Sequence, residues 1–536
     1  MRPVRIHQTT GFFYEMLVLH SSFGALNGDR QPARRRRSAE KSEGGKRLVR
    51  RFRLWGGGKQ LLEDIPRWWL TTLLVFAPWA YGTTTSLTKQ ILTGALLALI
   101  GLFAVSLVLR RRWPRIHWLT ALLSLFLLAQ GWLMTWNPKL VYDPAVFYFH
   151  NVQQPITWLP GTVDQETSFR QMLLITGLFG AFWVAMDAAA NPRWRDRLWL
   201  VMSLTGVSIM ILGLSQRVMG APAIFWQTNL DCGSTFFATY RYHANAGAFI
   251  NIVLPLITGK MLCALRRKRS DRSRVFWILA SLGTFVSAFV NVSRAATLIS
   301  VLMVFLFLLW ELREQARVDE AFLSKRRIGG ITLILIIAVS LLVWAVGFDE
   351  AREHWTELAN SIATSGRFVV YDLIIKRLLP VSGLWGFGPA TFQIIFPFFT
   401  NSVGKQIMGI WEYAHEDYLE TLVEWGVCGA VAWFLLFSST IIPAVWTFYR
   451  LASRWDRQVR TFAMVVFLAL GSVLVHALVD FPLQIAALQL YASVLLGLLA
   501  TLNYQRTKSA RRIGRRQTPV TDDGEGTFSA ARPNGE

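Results

Sequence analysis

The sequence predicts an all-α fold, a transmembrane helical bundle of about twelve spans with one long loop on the exported side. Three observations lead to this class. Hydrophobic residues make up 53% of the 536-residue chain, which contains 23 Trp and 36 Phe. Many apolar runs reach the roughly 20 residues that a helix needs to cross a bilayer. Basic residues occupy every second loop, which is the charge pattern of a multi-pass membrane protein.

The apolar runs are too long and too continuous for the strands of a barrel, so each span is expected to be a helix. The limits of each run are approximate, by several residues at either end. The predicted spans lie near residues 67–83, 88–109, 116–136, 170–190, 197–216, 243–265, 275–293, 294–311, 328–347, 417–447, 461–480 and 482–503.

The formal net charge of +23 is explained by topology, so no nucleic-acid partner is expected. Basic loops remain in the cytoplasm, and the alternating loops 137–169, 217–242 and 348–416 are poorer in Lys and Arg and should face the exterior. Both termini are therefore expected in the cytoplasm. The basic clusters are the N-terminal tail through Arg67, Arg110–Arg115, Arg193–Arg197, Arg266–Arg274, Arg313–Arg327, Arg450–Arg460 and Arg506–Arg516.

Three regions follow from this pattern. Residues 1–66 are expected to be a disordered basic cytoplasmic tail in contact with anionic membrane lipids. Residues 67–504 form the transmembrane domain, which includes the long exported loop 348–416. Residues 505–536 are expected to be a second disordered cytoplasmic tail.

No cofactor or metal is expected. Cys232, Cys263 and Cys428 lack the spacing of a zinc site or a disulfide framework. The chain also lacks a P-loop, a GxGxxG motif after a strand, and the HExxH and GxSxG motifs.

The long exported loop ends on the first candidate catalytic residue, His415. The positive N-terminal end of the following helix favours the neutral imidazole that a general base requires. Glu416 and Asp417 complement that helix end, and Glu424 lies deepest in the span. Glu424 is the best of these carboxylates to orient His415 or contact a sugar hydroxyl. The simpler alternatives are a hydrogen-bonded surface histidine and an acidic stripe around a vestibule.

Four arginines flank the exported loops and are candidates to bind a diphosphate. Arg294 and Arg367 each open an apolar segment, while Arg217 and Arg241 flank the loop 217–242. A guanidinium binds phosphate oxygens through two parallel hydrogen bonds and stays charged beside a membrane. The alternative for each is a charge that extends to the lipid headgroups.

Several neighbouring residues have structural interpretations. His243 and Asn245 are expected to cap a helix, and His476 and Asp480, one turn apart, to form a local pair or line the cavity. Two larger sets complete the loop. A tight turn is expected at Gly383, Gly386, Gly388 and Pro389, and an amphipathic helix on the membrane from Phe368, Val369, Leu373, Ile374 and Leu378.

Six sequence blocks, in order, resemble the O-antigen ligase and polymerase superfamily over about residues 200–500. They read RYHANAGAFINIVLPL (241–256), SRAATLISVL (293–302), GRFVVYD (366–372), GLWGFGPATF (383–392), AHEDYLETLVEWGVCG (414–429) and HALVDFPLQIAAL (476–488). The matches single out Arg294 in its SR motif, Arg367 in its GR motif and His415 in AHEDYL. The chain departs from the best-known ligases in its long basic N-terminal tail and its Trp-rich exported loops.

The resemblance implies a metal-independent glycosyltransferase of the bacterial inner membrane. Its donor is a polyprenyl-diphosphate-linked glycan, and its acceptor is a hydroxyl on a lipid, a growing polysaccharide or a protein. A second class stays open, a transporter of a small anion or a lipid-linked sugar. Transporters place charged or broken-helix sites near the bilayer midplane and contain internal repeats. The sequence has no clear repeat and its candidate charges lie at one mouth, which favours the enzyme.

Overall fold

The computed structural model describes eight stretches of the chain, all within the unit Leu61–Glu536. They are residues 64–114, 116–146, 148–152, 155–227, 236–267, 270–316, 366–402 and 411–517. The predicted span at 328–347, most of both predicted tails and the loop residues 348–365 and 403–410 lie outside the described residues.

Helices underlie eleven of the predicted apolar runs. The helices are α1 (64–79), α2 (Ser86–Leu109), α3 (Trp118–Trp136), α4 (Gln165–Ala189), α5 (Pro192–Val218), α6 (His243–Arg266), α7 (Asp271–Val290), α8 (Arg294–Ala316), α9 (Gly366–Leu373), α10 (Leu379–Ser382), α11 (Phe392–Ile395), α12 (Asp417–Leu451), α13 (Arg457–His476) and α14 (Ala486–Gln517), with a π-helical turn at Ile374–Leu378 between α9 and α10. Among the described residues, nine helices, α2–α8, α12 and α13, are long and apolar enough to cross a membrane. The polytopic helical class is confirmed, whereas the total of twelve spans stays a prediction.

Short polar side chains begin several of these helices, as their sequences require. Asp164 Oδ2 accepts a hydrogen bond from Thr167 N at 2.9 Å at the start of α4. Asn191 caps α5 by accepting a hydrogen bond from Arg193 N. Pro192 is the first residue of that helix and has no backbone N–H that would need an acceptor. These caps satisfy backbone N–H groups that the first turn leaves without an intrahelical partner.

The centre of the bundle is formed by α4, α6 and α14. Helix α14 packs on α4 and α12, while α6 packs on α5, α7 and α13. Trp199 and Tyr491 are among its largest fully buried side chains. Trp199 Nε1 donates to Leu256 O at 2.9 Å and the Tyr491 hydroxyl donates to Leu74 O at 2.9 Å. The polar atoms of these side chains are thus satisfied, as burial in the bundle demands.

Four helix ends meet at one end of the bundle, which we call the site end. Asp417 N, at the start of α12, donates to Ala477 O, just after α13, at 3.0 Å. Asn291 Nδ2, just before α8, donates to His243 O at the start of α6 at 2.8 Å. The Tyr242 hydroxyl, before α6, donates to Asp480, after α13, at 3.4 Å. The candidate residues of the sequence analysis therefore lie at a single end.

The predicted amphipathic helix is present as α9 and its continuation, and its buried face includes Leu373, Ile374 and Leu378 as expected. Val370, Leu373, Ile374 and Leu378 are buried, whereas Phe368 is 57% exposed. Phe368 precedes the π-helical turn, and a separation of two residues is more than half a turn of an α-helix, so its side chain points away from buried Val370.

One small sheet lies in the loop 137–169. Strands β1 (Leu140–Asp143) and β2 (Tyr148–Asn151) form an antiparallel hairpin with Val141 opposite His150. The all-α prediction did not include it, because its alternating residues are few and surface-exposed.

Candidate active site

Asp480 lies at the centre of a polar cluster at the site end. Its Oδ1 lies 3.2 Å from His415 Nδ1 and accepts a hydrogen bond from Phe481 N at 3.0 Å. Its Oδ2 accepts from the Tyr242 hydroxyl at 3.4 Å and lies 3.6 Å from Arg367 Nη2. Asp480 is 4% exposed. Its buried charge is stabilised by three residues distant in the chain, Tyr242, Arg367 and His415, and by the neighbouring backbone N–H of Phe481.

The contact with Asp480 determines which nitrogen of His415 can act as a base. A carboxylate accepts hydrogen bonds, so Nδ1 carries the proton that it donates to Asp480. The neutral imidazole then presents the lone pair of Nε2. This is the tautomer required of a general base that takes a proton on Nε2, and Asp480 stabilises the imidazolium that forms.

The backbone around His415 is strained and fixed on both sides. His415 has a φ of +57°, in the left-handed region that a residue with a β-carbon rarely adopts. Ala414 N donates to Glu420 Oε2 at 2.7 Å, and the Tyr371 hydroxyl donates to His415 O at 2.7 Å. Strain of this kind persists where surrounding contacts over-determine the conformation, which is frequent at functional sites.

Aromatic rings surround the imidazole. The His415 ring centroid lies 4.8 Å from that of Phe481 and 5.2 Å from that of Trp411, both in edge-to-face geometry. Phe481 in turn stacks on Tyr413 and Tyr242, at centroid distances of 4.4 and 5.5 Å. The side chain of His415 remains 21% exposed, so its ring is enclosed but still accessible.

Arg367 approaches the same carboxylate and keeps donors for a further ligand. Its Nη1 donates to Val479 O at 2.9 Å and its Nη2 to the Tyr242 hydroxyl at 3.2 Å. A guanidinium has five N–H groups, and 38% of this side chain is exposed. One edge of the Arg367 guanidinium is therefore bound to the protein, and the exposed part can contact an anionic ligand at the site end.

The electrostatics of the cluster keep Asp480 ionised and its tyrosines protonated. Burial by itself would raise the pKa of Asp480, but the hydrogen bond from His415 and the charge of Arg367 outweigh it and lower that pKa. Burial raises the pKa of Tyr371 to about 12 and also raises the pKa of Tyr242. Both hydroxyls are therefore hydrogen-bond donors at neutral pH.

The glycine-rich turn is interlocked with a break in α12. Phe387 N donates to Val423 O at 3.1 Å, Gly388 N to Glu424 O at 2.9 Å, and Cys428 N to Leu384 O at 3.0 Å. Gly426 interrupts the helix with a φ of +63°, and a β-carbon there would lie 2.4 Å from Leu384 O. The loop backbone thus takes the hydrogen bonds that the broken helix cannot make for itself.

Glu424, the second candidate catalytic residue, lies against this loop. It is 4% exposed, and its Oε1 accepts a hydrogen bond from Phe392 N at 3.1 Å. Asp417 similarly accepts from Leu483 N at 2.8 Å, and Glu416 caps α12 through Leu419 N. These carboxylates fix the loops of the site end, and Asp480 is the carboxylate that contacts His415.

One of the four predicted diphosphate ligands, Arg367, is in contact with Asp480. Arg294 opens α8 and is half-buried, and α8 packs beside the start of α6, where Gly247 faces Ala296. Arg241 and Arg217 are exposed at the site end, before α6 and in the last turn of α5. The structure thus joins His415 with Arg367 and places the other three arginines at the same end.

Sequence reasoning missed Tyr242 and ranked Asp480 too low. Tyr242 lies between Arg241 and His243. The sequence predicts a local pair of Asp480 with His476. His476 is fully buried, and within the described chain no hydrogen-bond partner is found for its ring nitrogens. The sequence signal for Asp480 is its position in the HALVDFP block, which follows α13. That block lies beside the start of α12, where His415 is found.

The described residues contain no cluster of three or more His, Cys, Asp or Glu side chains able to hold a metal ion.

Comparison with protein families gives a match to part of the chain. Residues 279–434 match the family model described as Wzy_C: O-Antigen ligase. The match confirms the resemblance to the O-antigen ligase superfamily over that part of the chain. It includes Arg294, Arg367 and His415, while Tyr242 and Asp480 lie outside it. No curated protein matches the chain.

Proposed function

We propose that the protein transfers a glycan from a polyprenyl-diphosphate carrier to an acceptor hydroxyl at the exported face of the bacterial inner membrane. The observation that carries the proposal is the contact between His415 Nδ1 and Asp480 Oδ1 beside the partly exposed guanidinium of Arg367. The matched ligase family supports the class of donor.

In the proposed reaction, Nε2 of His415 removes the proton of the acceptor hydroxyl as its oxygen attacks the anomeric carbon of the donor. The bond between that carbon and the diphosphate oxygen breaks, and polyprenyl diphosphate leaves. The negative charge that grows on the diphosphate is stabilised by Arg367, with Arg294, Arg241 and Arg217 as further candidate ligands. The proton stays on the imidazole, which Asp480 stabilises until the product departs.

An apolar cavity beside the site is suited to the prenyl chain of the donor. It has a volume of about 770 Å³ and is lined mainly by side chains of α4, α12 and α14. Its lining extends along α12 from Asp417, two residues after His415, to Ile442. An isoprenoid in this cavity would carry its diphosphate at the site end, where the arginines lie.

Reconstitution into vesicles distinguishes the proposed glycosyltransferase from a transporter of a small anion or a lipid-linked sugar. Purified protein in vesicles, given a polyprenyl-diphosphate glycan and a candidate acceptor, should release polyprenyl diphosphate and form a glycosylated acceptor. His415→Ala should abolish both products. Passage of the donor or of an anion across the vesicle without release of polyprenyl diphosphate, unaffected by His415→Ala, would favour transport instead.

A further inference from the structure

A second cavity, lined by several charged residues, lies at the end of the bundle opposite the site end. Helix α6 starts beside Tyr242 and ends at Arg266, and α13 ends four residues before Asp480. With a rise of about 1.5 Å per residue, the two ends of α6 are roughly 35 Å apart. The cavity is lined by residues from the far ends of both helices, including Arg267 and Gln458. It is therefore separate from the site around His415.

The charged residues that line this cavity are predominantly cationic. It has a volume of about 220 Å³, and Arg193, Arg197, Lys260 and Arg267 line it with a single carboxylate, Asp196. Asp196 is itself engaged, because its Oδ2 accepts from Gln458 Nε2 at 3.2 Å. Its Oδ1 lies 3.6 Å from a further guanidinium, that of Arg195. The cavity thus keeps an excess of positive charge.

Contacts within the bundle hold two of the cations in place. Lys260 Nζ lies 3.9 Å from the ring centroid of Trp199, which is fully buried. Arg267 donates to Gln458 Oε1 at the start of α13. Since like charges held together repel one another, this arrangement favours an anionic occupant.

The ligand class follows from the position of the cavity at the ends of membrane-spanning helices. Arg193 and Arg197 are exposed near the start of α5, and indole rings of Trp199 and Trp277 line the apolar side. Basic pockets between transmembrane helices bind the headgroups of anionic lipids, and indoles favour the headgroup level. We propose that this cavity binds the phosphodiester headgroup of an anionic phospholipid.

Lipid titration of the purified full-length protein, followed by native mass spectrometry, tests the proposal. The probes are cardiolipin, phosphatidylglycerol and phosphatidylcholine in mixed micelles, and inorganic phosphate alone as competitor. The variant Arg193→Gln/Lys260→Gln removes two cations of the cavity. Arg272→Gln is the matched control, because Arg272 is exposed at the same end but does not line the cavity.

The wild type should bind both anionic lipids more tightly than phosphatidylcholine. Each removed cation should weaken anionic-lipid binding about fivefold, hence about 25-fold for the double variant. The control should bind as the wild type does. If the double variant does not fold, Arg193→Gln alone should still show about a fivefold loss.

Three results would overturn the proposal: equal affinity for phosphatidylcholine, an equal loss in Arg272→Gln, or unchanged affinity in the cavity variants. Displacement of the lipid by inorganic phosphate at a similar concentration would instead assign the cavity to free phosphate.

Discussion

His415 and Asp480 come together from positions 65 residues apart in the chain, and their contact defines the chemistry of the site. The sequence predicted His415 as a base and Arg367 as a ligand for phosphate. It could not identify the carboxylate partner, because Glu416, Asp417 and Glu424 are nearer in the chain. Those three side chains accept hydrogen bonds from backbone N–H groups, so only tertiary structure reveals Asp480 as the partner.

Replacing Asp480 with Asn should lower turnover about 10²-fold while the protein still reaches the membrane. The amide has no negative charge to stabilise the imidazolium, and it can pair with the wrong tautomer of His415. The rate of glycan transfer by purified protein measures the effect. Asp372→Asn is the control, because Asp372 is an exposed carboxylate paired with Lys376. Equal turnover in the two variants would mean that Asp480 has no role beyond the fold.

Replacing Arg367 with Lys should impair transfer at least tenfold although the charge is retained. An ammonium cannot reproduce the planar fork that contacts Val479 O and the Tyr242 hydroxyl while binding a phosphate. Donor titration with the purified variant measures the loss. Arg377→Lys, an exposed change in the same segment, should behave as the wild type. Full activity of Arg367→Lys would identify Arg367 as a membrane anchor.

Among the secondary-structure elements, the spans were the most predictable, because runs of about 20 apolar residues dictate helices. The glycine-rich turn was also predicted from Gly383, Gly386 and Gly388, all of which have positive φ. Its insertion into a break of α12 was not predictable. The EWG sequence that ends at Gly426 predicts an ordinary helix. Its break follows from the close approach of the Leu384 backbone, which is a tertiary contact.

Replacing Gly426 with Ala should destabilise the protein by several kcal/mol. The backbone conformation alone costs a β-carbon-bearing residue about 2 kcal/mol, and the overlap with Leu384 O adds about 1–3 kcal/mol. Gly383→Ala isolates the first effect, since Gly383 has a φ of +62° but open space around its β-carbon position. Thermal unfolding in detergent compares the two. A Gly426→Ala protein as stable as Gly383→Ala would show that the interlock contributes little.

For the molecule as a whole, the distribution of basic residues predicts how the protein is oriented in the membrane. The helical bundle alone does not define that orientation. The site end bears the candidate ligands of the diphosphate, and the opposite end bears basic clusters such as Arg193–Arg197. The positive-inside rule predicts that the site end is the exported one. The hairpin at β1 and β2 was beyond prediction, because two four-residue strands give too weak an alternating signal.

Cysteine labelling tests this orientation. In a background in which Cys232, Cys263 and Cys428 are replaced by Ser, single cysteines are introduced at Asp372 and Ser270, both exposed. An impermeant maleimide should label the cysteine at position 372 in intact spheroplasts, and the one at 270 only after lysis. The reverse pattern would place the site in the cytoplasm and contradict the proposed exported reaction.

The central claim is that His415 accepts the proton of the acceptor hydroxyl, and its most direct test is the turnover of purified His415→Gln. Glutamine can donate and accept hydrogen bonds but cannot act as a base at neutral pH. General-base assistance contributes about 10²- to 10⁴-fold. His415→Gln should therefore lose that factor, as His415→Ala does, with donor binding retained. His150→Gln, in the exposed hairpin, is the control. Near wild-type turnover by His415→Gln would show that His415 only positions the substrate.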